Sequence, residues 1–541
     1  MILNFMKRTG IIISEWIFIL FFLLLQPSAL CQEIITGGIV SGTWKADHSP
    51  YMVFGDITIP DDSSLTIEPG VNVVFYGPFG ISVPGRLIAI GSSADSIFFS
   101  INDTTGFSDT TSNHGGWHGI RILNTDPADT SVIRYCDLSY GKATGGGVEA
   151  GKGGAINISG NANVIIEHST LHNNLGTEAG GAICCSPGSS AVIRNNRLMH
   201  NKTYHEGGGI YAGEGCKLLI ESNTIAFNIA YFIIYDGGLV IRGGAGGGIY
   251  ITDPFSFQTG VIIINNFLFN NLSHNGGGIY ESCKEVLISG NAVSNNSRNG
   301  IMNGHMMGKG RYFNNTICNN SPYAGIAVCS RSLRIENNII WGNENWESPG
   351  SQIYRINEGQ MPEVFYSDIQ NGYPGEGNMD EIPEFADPSE GAGISFNSFG
   401  ADWSLKNNSP CINKGKPDTA GMVLPAADIA GNPRIYGNRI EMGAFENQYV
   451  ASSTLSMHPD SGTVYIMPNP CADYFSILFN EENEQTGKLS IYNSCGKPVL
   501  ESDIVSRKQN RLYIGDLPDG IYFGTGRFKS KVYRFLIVKN R

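Results

Sequence analysis

A chain of 541 residues exceeds what one ordinary globular core organises, although a solenoid absorbs such a length as a single body. Its 69 glycines and 16 % charged residues favour turns and strands, and no long stretch shows the apolar i, i+3, i+4 rhythm of a helix with a charged outer face. A net charge of −13 argues against a nucleic-acid partner and leaves no basic stripe for an anionic lipid surface.

Residues 1–31 read as a signal peptide. Lys7 and Arg8 give a positive start, Trp16 to Leu25 an apolar middle, and Ala29-Leu30-Cys31 a small-residue cleavage site. The apolar middle is too short to span a bilayer, so no transmembrane span is expected in the mature chain. Leu30 is bulkier than the residue that precedes a lipidated cysteine, which disfavours a lipid anchor on Cys31.

Residues 37–100 are rhythmic: YMVFGDITIP (51–60), SLTIEPGVNVVFYG (64–77) and GISVPGRLIAIGSSADSIFFS (80–100) alternate apolar and polar residues between Pro-Gly, Gly-Pro and Gly-Ser turns. They predict short strands. WHGIRIL (117–123) and VIRYCDLSYG (132–141) continue the pattern.

From Ile166 to Asn343 nearly the same phrase, apolar-x-x-Asn-x-apolar-x-x-Asn, returns seven times, from IEHSTLHNN (166–174) to IENNIIWGN (335–343). Its last Asn falls at 174, 201, 228, 271, 296, 320 and 343, a period of 23–27 residues with one step of 43. Such a period marks a solenoid whose units bury their apolar faces against one another. VIRYCDLSYG fits the same register, with Cys136 and Gly141 where later copies carry Asn.

Between these phrases GGAI (153–156, 180–183) becomes GGGIY (207–211, 246–250, 276–280), so two apolar strands per coil are expected. Asn in register from coil to coil predicts side-chain amides that hydrogen-bond up the stack, and Asn also tolerates the left-handed turn conformation.

The pattern resembles that of right-handed parallel β-helix proteins over roughly residues 50–445. VFYSDIQNGY (364–373), GEGNMDEIPEFADP (375–388), SLKNNSPCINKG (404–415) and DIAGNPRIYGNRIEMGAFE (428–446) resemble the closing segment of secreted bacterial members, which implies a structural role for Asp428, Arg434 and Glu441. After a polar stretch, Pro468-Asn469-Pro470, Ile491-Tyr492 with Gly496, Leu517 with Gly520-Ile521-Tyr522, and Lys539 resemble the C-terminal sorting domain of the type IX secretion system of Bacteroidota. That resemblance implies a small β-sandwich which directs passage across the outer membrane and is commonly removed afterwards. The expected fold is therefore all-β: a right-handed parallel β-helix solenoid followed by a small C-terminal β-sandwich. The expected divisions are 1–31 signal peptide; 32–448 β-helix with N-terminal cap strands and closing segment 361–448; 449–463 linker; and 464–541 sorting domain. The expected location is extracellular or on the cell surface, with the type IX machinery as a partner through 464–541.

The eleven cysteines are scattered, with no CxxC pair or Cys/His metal spacing, and are expected to be mostly free and buried. No cofactor is expected, and the acidic residues are too dispersed to nominate calcium ligands.

Departures from the register mark where chemistry is expected. Glu167, Arg194 and Glu221 follow the leading Ile of successive phrases and read as exposed cross-strand pairs. Five residues before the Ile of the glycine phrase stand Glu178, His205, Gly244 and His274, with Glu206 beside His205. An acid and an imidazole one coil apart suit general acid–base work, so Glu178, His205 and Glu206 are the catalytic candidates; a merely polar, solvated turn is the alternative. Asn228 to Ile249 is twelve residues longer than the equivalent earlier step, adding Tyr231, Phe232, Tyr235 and Asp236. A smaller excess adds Phe255 and Phe257. With Lys202 and Arg242 flanking the region, Tyr231, Phe232, Tyr235, Asp236, Arg242, Phe255 and Phe257 are the candidate substrate-binding residues, the rings for sugar faces and the cations for a uronate. No motif of the pectate lyases or polygalacturonases is present. The expected partner is a polysaccharide, bound or processed by lyase- or glycosidase-like chemistry; the alternative is a non-enzymatic surface adhesin or structural rod.

Overall fold

The computed structural model describes residues 32–123, 129–145, 150–236, 239–253, 260–330, 332–356, 361–437, 439–448, 463–467, 471–480, 483–493, 497–529 and 531–539, with backbone alone at 232–242. The chain divides into two compact units, Met1–Tyr449 and Val450–Arg541.

The first unit is built from three long parallel sheets. One has 13 strands, from Glu33–Ile35 to Asp368–Ile369; the second has 12, from Gly38–Ile39 to Ile353–Arg355; the third has 12, from Gly42–Trp44 to Glu363–Phe365. Each coil visits them in turn, and a short five-stranded sheet (Lys142–Ala143 to Leu272–Ser273) intervenes between the first and second in the middle coils. Alternation along each strand sends every second residue inward, as Ile249 and Ile251 or Leu218 and Ile220 are, and parallel register stacks like upon like. Ile156, Ile183, Ile210, Ile249, Ile279, Ile301, Ile326 and Ile353 form one such file on the second sheet. Ile166, Ile193, Ile220, Ile263 and Ile288 form another on the third, all fully buried. Burying each aliphatic side chain contributes roughly 1.5–3 kcal/mol, and this is the main force holding the coils together.

Each coil therefore carries three long-sheet strands where two were expected. The nine-residue Asn phrase is not one strand but two, because the residue before each laddered Asn takes a left-handed backbone. Asn195, Asn265, Asn314 and Asn337 lie at φ of 52–59° and turn the chain from the third sheet into the first. The glycine phrase has its own steric reason. Gly207 sits at φ +71°, and a Cβ there would meet the Ile210 carbonyl oxygen at 2.5 Å.

Two files of asparagine run inside the turns. Asn196, Asn223, Asn266, Asn291, Asn315 and Asn338 form one, and Asn174, Asn201, Asn228, Asn271, Asn296, Asn320 and Asn343 the other. Each Nδ2 donates to the Oδ1 of the next Asn at 2.8–3.1 Å. That same Oδ1 also accepts the backbone N–H beside it, as Asn266 Oδ1 does from Asn223 at 2.9 Å. Where Asn is missing the files end: Ser169 and Gly141 each donate a backbone N–H upward, to Asn196 Oδ1 at 2.9 Å and to Asn174 Oδ1 at 2.8 Å, and Cys136 N–H donates in turn to Ser169 Oγ at 3.0 Å.

The closing segment lies over the outer side of the first sheet in the later coils, where Phe385, Trp403, Leu405, Cys411, Met442 and Phe445 pack on Ala292, Cys318 and Ile339. Within it Arg434 is buried with Asp428, Glu441 and Glu446, and pairs with Glu446 at 3.1 Å. The cysteines described are free, all of them buried except the half-buried Cys329. The second unit is antiparallel, with a three-stranded and a four-stranded sheet enclosing Phe475, Ile477, Phe479, Leu489, Ile491, Phe528 and Ile537.

Candidate functional site

Backbone bridges join Lys152 to Ala179, Ala179 to Glu206, Glu206 to Ala245 and Ala245 to Asn275. The residues just before these, Glu178, His205, Gly244 and His274, consequently form a file of their own at one coil's spacing. Glu178 is exposed, while His205 and Glu206 are half-buried. Burial pushes the Glu206 carboxyl above its ordinary range; the neighbouring His205 opposes this and the negative charge of Glu178 adds to it. The structure thus gathers Glu178, His205 and Glu206 on two adjacent coils.

Beside them the outer side of the second sheet carries three tyrosines in register, Tyr211, Tyr250 and Tyr280. Their rings stack at centroid separations of 5.4 and 5.0 Å, within 8° and 7° of parallel. Burial, followed by the charge of Glu206, raises the Tyr250 phenol, and burial is likewise the largest cause at Tyr280, where Glu206 also contributes. Since the ring faces cover one another, what this file offers a ligand is a row of edges and hydroxyls. Sequence reasoning passed over these residues. The signal was the Tyr closing each GGGIY: with Ile turned inward, strand alternation places Tyr outside.

The long step between Asn228 and Asn271 becomes an antiparallel hairpin, Phe232–Asp236 against Leu239–Gly243, rooted at the same turn. Tyr231 begins it, its N–H donating to the Thr203 carbonyl at 3.2 Å. Phe232, Tyr235, Asp236 and Arg242 lie on its two strands, described here by backbone only, and Phe255 and Phe257 fall outside the described residues. Lys202 directs its ammonium over the Tyr204 ring, 4.6 Å from the centroid.

The charge column on the third sheet is not the exposed pairing expected of it. Glu167 is buried and held between Arg134 and Arg194, at 2.6 Å from Arg194 Nε. Burial raises its carboxyl, but hydrogen bonds from Arg194 and Arg134 outweigh this and hold it below the ordinary value. Both guanidiniums cover the acid from adjacent coils, so this is a structural clamp. Among the described residues no group of three or more His, Cys, Asp or Glu side chains is arranged to hold a metal ion.

A parallel solenoid of stacked coils followed by a small antiparallel domain defines a β-helix protein, and the family comparisons agree. Residues 95–253 match the right-handed beta helix region, and residues 465–539 match the secretion system C-terminal sorting domain. The chain is a right-handed parallel β-helix protein with a type IX secretion sorting domain, placed by that domain at the cell surface or outside the cell. No curated protein matches the chain. Among the described residues no helix is long and apolar enough to cross a membrane.

Proposed function

We propose that this protein binds polysaccharide along the edge formed by Glu178, His205, Glu206 and the Tyr211–Tyr250–Tyr280 file. The observation that carries the reading is Glu206, a half-buried carboxyl with a raised pKa beside a row of phenols, one coil from the turn that the hairpin interrupts. The row of hydroxyls suits a repeating polyol, and the hairpin supplies a wall. A carboxyl that holds its proton above the ordinary range, close to a second carboxylate, also suits a general acid in glycoside cleavage.

Binding to a panel of immobilised polysaccharides, with reducing-sugar and unsaturated-uronate assays in parallel, tests both forms. Glu206→Gln is expected to abolish turnover while preserving binding, and Tyr250→Ala to weaken binding about tenfold, the order expected when one aromatic ring is removed from a subsite. Retention of full binding in a Tyr250→Ala/Glu206→Ala double mutant would remove this edge from the account.

A second reading, a non-enzymatic adhesin, has its own observation. Ile165, Val192, Leu219 and Ile262 form a partly exposed apolar file on the third sheet, lining a shallow groove of about 420 Å³. It predicts no turnover on any glycan, and surface attachment that a Val192→Glu/Leu219→Glu variant loses.

A further inference from the structure

The turn that leads out of the first sheet holds one left-handed residue per coil. Along the rod these are Tyr140, Asn173, His200, Phe227, Asn270, Asn295 and Asn319, at φ between 53° and 58°. Asn fits that conformation at little cost, whereas bulky residues are outliers there, and such outliers concentrate where a site needs them. The three aromatic ones cluster. His200 and Phe227, one coil apart, stack at 5.1 Å and 11°. Tyr140 stands two coils from His200, with only Asn173 between them. At roughly 4.8 Å per coil, the stack of flat side chains is missing one member at that level.

A cavity of about 320 Å³ opens there, lined by Phe107, Tyr140, Asn173, His200, Lys202 and Tyr204, among others. Phe107 meets Tyr140 edge-on at 5.4 Å. Asn173, which lines the cavity, is oriented by a polar chain outside the lining. Asp137 Oδ1 lies 3.1 Å from His172 Nε2, and His172 Nδ1 lies 3.1 Å from Asn173 Nδ2. With Nε2 donating to the carboxylate, Nδ1 accepts from the amide, and Asn173 keeps its Oδ1 and one N–H for a ligand. Lys202 lines the cavity with no carboxylate partner among the described residues. The later coils differ: there Asn270, Asn295 and Asn319 give their amides to carbonyls of the closing segment, Phe396, Gly391 and Ser389.

We propose that the space between Tyr140 and His200 is a binding site for a planar aromatic ring carrying an anionic group, an aryl carboxylate. The ring would take the place of the missing member of the stack, with its charge toward Lys202 and its polar edge on Asn173. A planar ring is favoured over a sugar chair because the adjacent His200–Phe227 pair shows what one coil's spacing accommodates. The proposal is independent of the reading of Glu206.

Calorimetric titration of the full chain with ferulate, its neutral amide and galacturonate tests it. Saturable binding of ferulate in preference to both is expected. Asn173→Tyr, which fills the gap with a side chain the same turn accepts in a neighbouring coil, should lower ferulate affinity about tenfold or more, as the removal of two stacking faces implies. His200→Asn removes one wall while installing the residue that later coils use, so affinity should fall with the unfolding midpoint kept or raised. Lys202→Met should narrow the preference for acid over amide by a few-fold. Absence of saturable ferulate binding, equal or tighter binding of galacturonate, or unchanged ferulate affinity in both Asn173→Tyr and His200→Asn would overturn the assignment.

Discussion

Replacing Asn223 by Ala tests whether the amide files hold the rod together. The Asn223 side chain makes four hydrogen bonds. Its Nδ2 donates to the Ile193 carbonyl at 2.8 Å and to Asn266 Oδ1 at 2.9 Å, and its Oδ1 accepts the Asn196 N–H at 2.9 Å and Asn196 Nδ2 at 3.0 Å. Two of the partners have other bonds: Asn266 Oδ1 still accepts the backbone N–H of residue 223, and Asn196 Nδ2 still reaches the Ile166 carbonyl. The Asn196 N–H is left without a partner, whereas the Ile193 carbonyl keeps the backbone N–H of Glu221 that the parallel register brings to it. One buried group left unpaired costs about 1–3 kcal/mol, and the variant should lose about that much. Because a solenoid propagates stability between neighbours, the loss should centre on the coils around residues 196–266. Urea unfolding gives the total, and hydrogen exchange at the Asn196 amide gives the location. Asn223→Ser should cost less, since Ser169 already accepts a neighbouring N–H at the end of this file. Asn223→Asp should cost at least as much as Ala, because it sets an acceptor against the Ile193 carbonyl and Asn266 Oδ1. A loss below about 0.5 kcal/mol, within what an inert surface substitution gives, would refute the argument.

Two further outcomes concern the pieces laid on the rod. Burial lifts Asp368 to about 7, Glu441 to about 7 and Glu446 to about 8, Arg434 only partly offsetting the last two. Carboxyls raised in the folded state stabilise it fully below their ordinary pKa and lose that contribution as pH climbs through the folded value. Melting temperature should therefore fall between about pH 5 and about pH 9, and Glu446→Gln should flatten the profile; an unchanged slope would refute the assignment. Lys142 is buried, its ammonium donating to the Gly106 and His114 carbonyls at 2.9 and 2.6 Å. Lys142→Met should accelerate proteolysis in the 103–116 loop and shift the urea midpoint of the rod by an amount equivalent to no more than about 1–3 kcal/mol.

What the sequence disclosed follows the range of the interactions. Coil register depends on residues within one period, so the positions of the two Asn files, the replacement of Asn by Cys136 and Gly141 in the earlier coil, and the alignment of Glu178 with His205 were all legible. The bend inside the Asn phrase was not, because Asn195 at a left-handed turn and Asn196 in the file have the same letter and different tasks. The burial of Glu167 between two arginines was likewise hidden, since alternating charge on adjacent strands reads the same whether or not the guanidiniums close over it. Nothing local tells that Asn270 bonds to the Phe396 carbonyl, 126 residues away.

That distant cover explains why one turn position is used in two ways. Beneath the closing segment it is Asn, which accepts the left-handed backbone and hands its amide to the cover. In the coils before that it is Tyr140, His200 and Phe227, each giving up roughly 1–2 kcal/mol relative to a residue at ease there. Packing one ring on the next recovers part of this, about 0.5–1.5 kcal/mol for a stacked pair, but Tyr140 has no stacked neighbour in the next coil, and Asn173 ensures it. A rod selected for stability alone would carry Asn at 140 and 200 as it does at 270 and 295. At this turn position the bulky left-handed residues Tyr140, His200 and Phe227 all border the cavity, and binding is the property that such a placement serves.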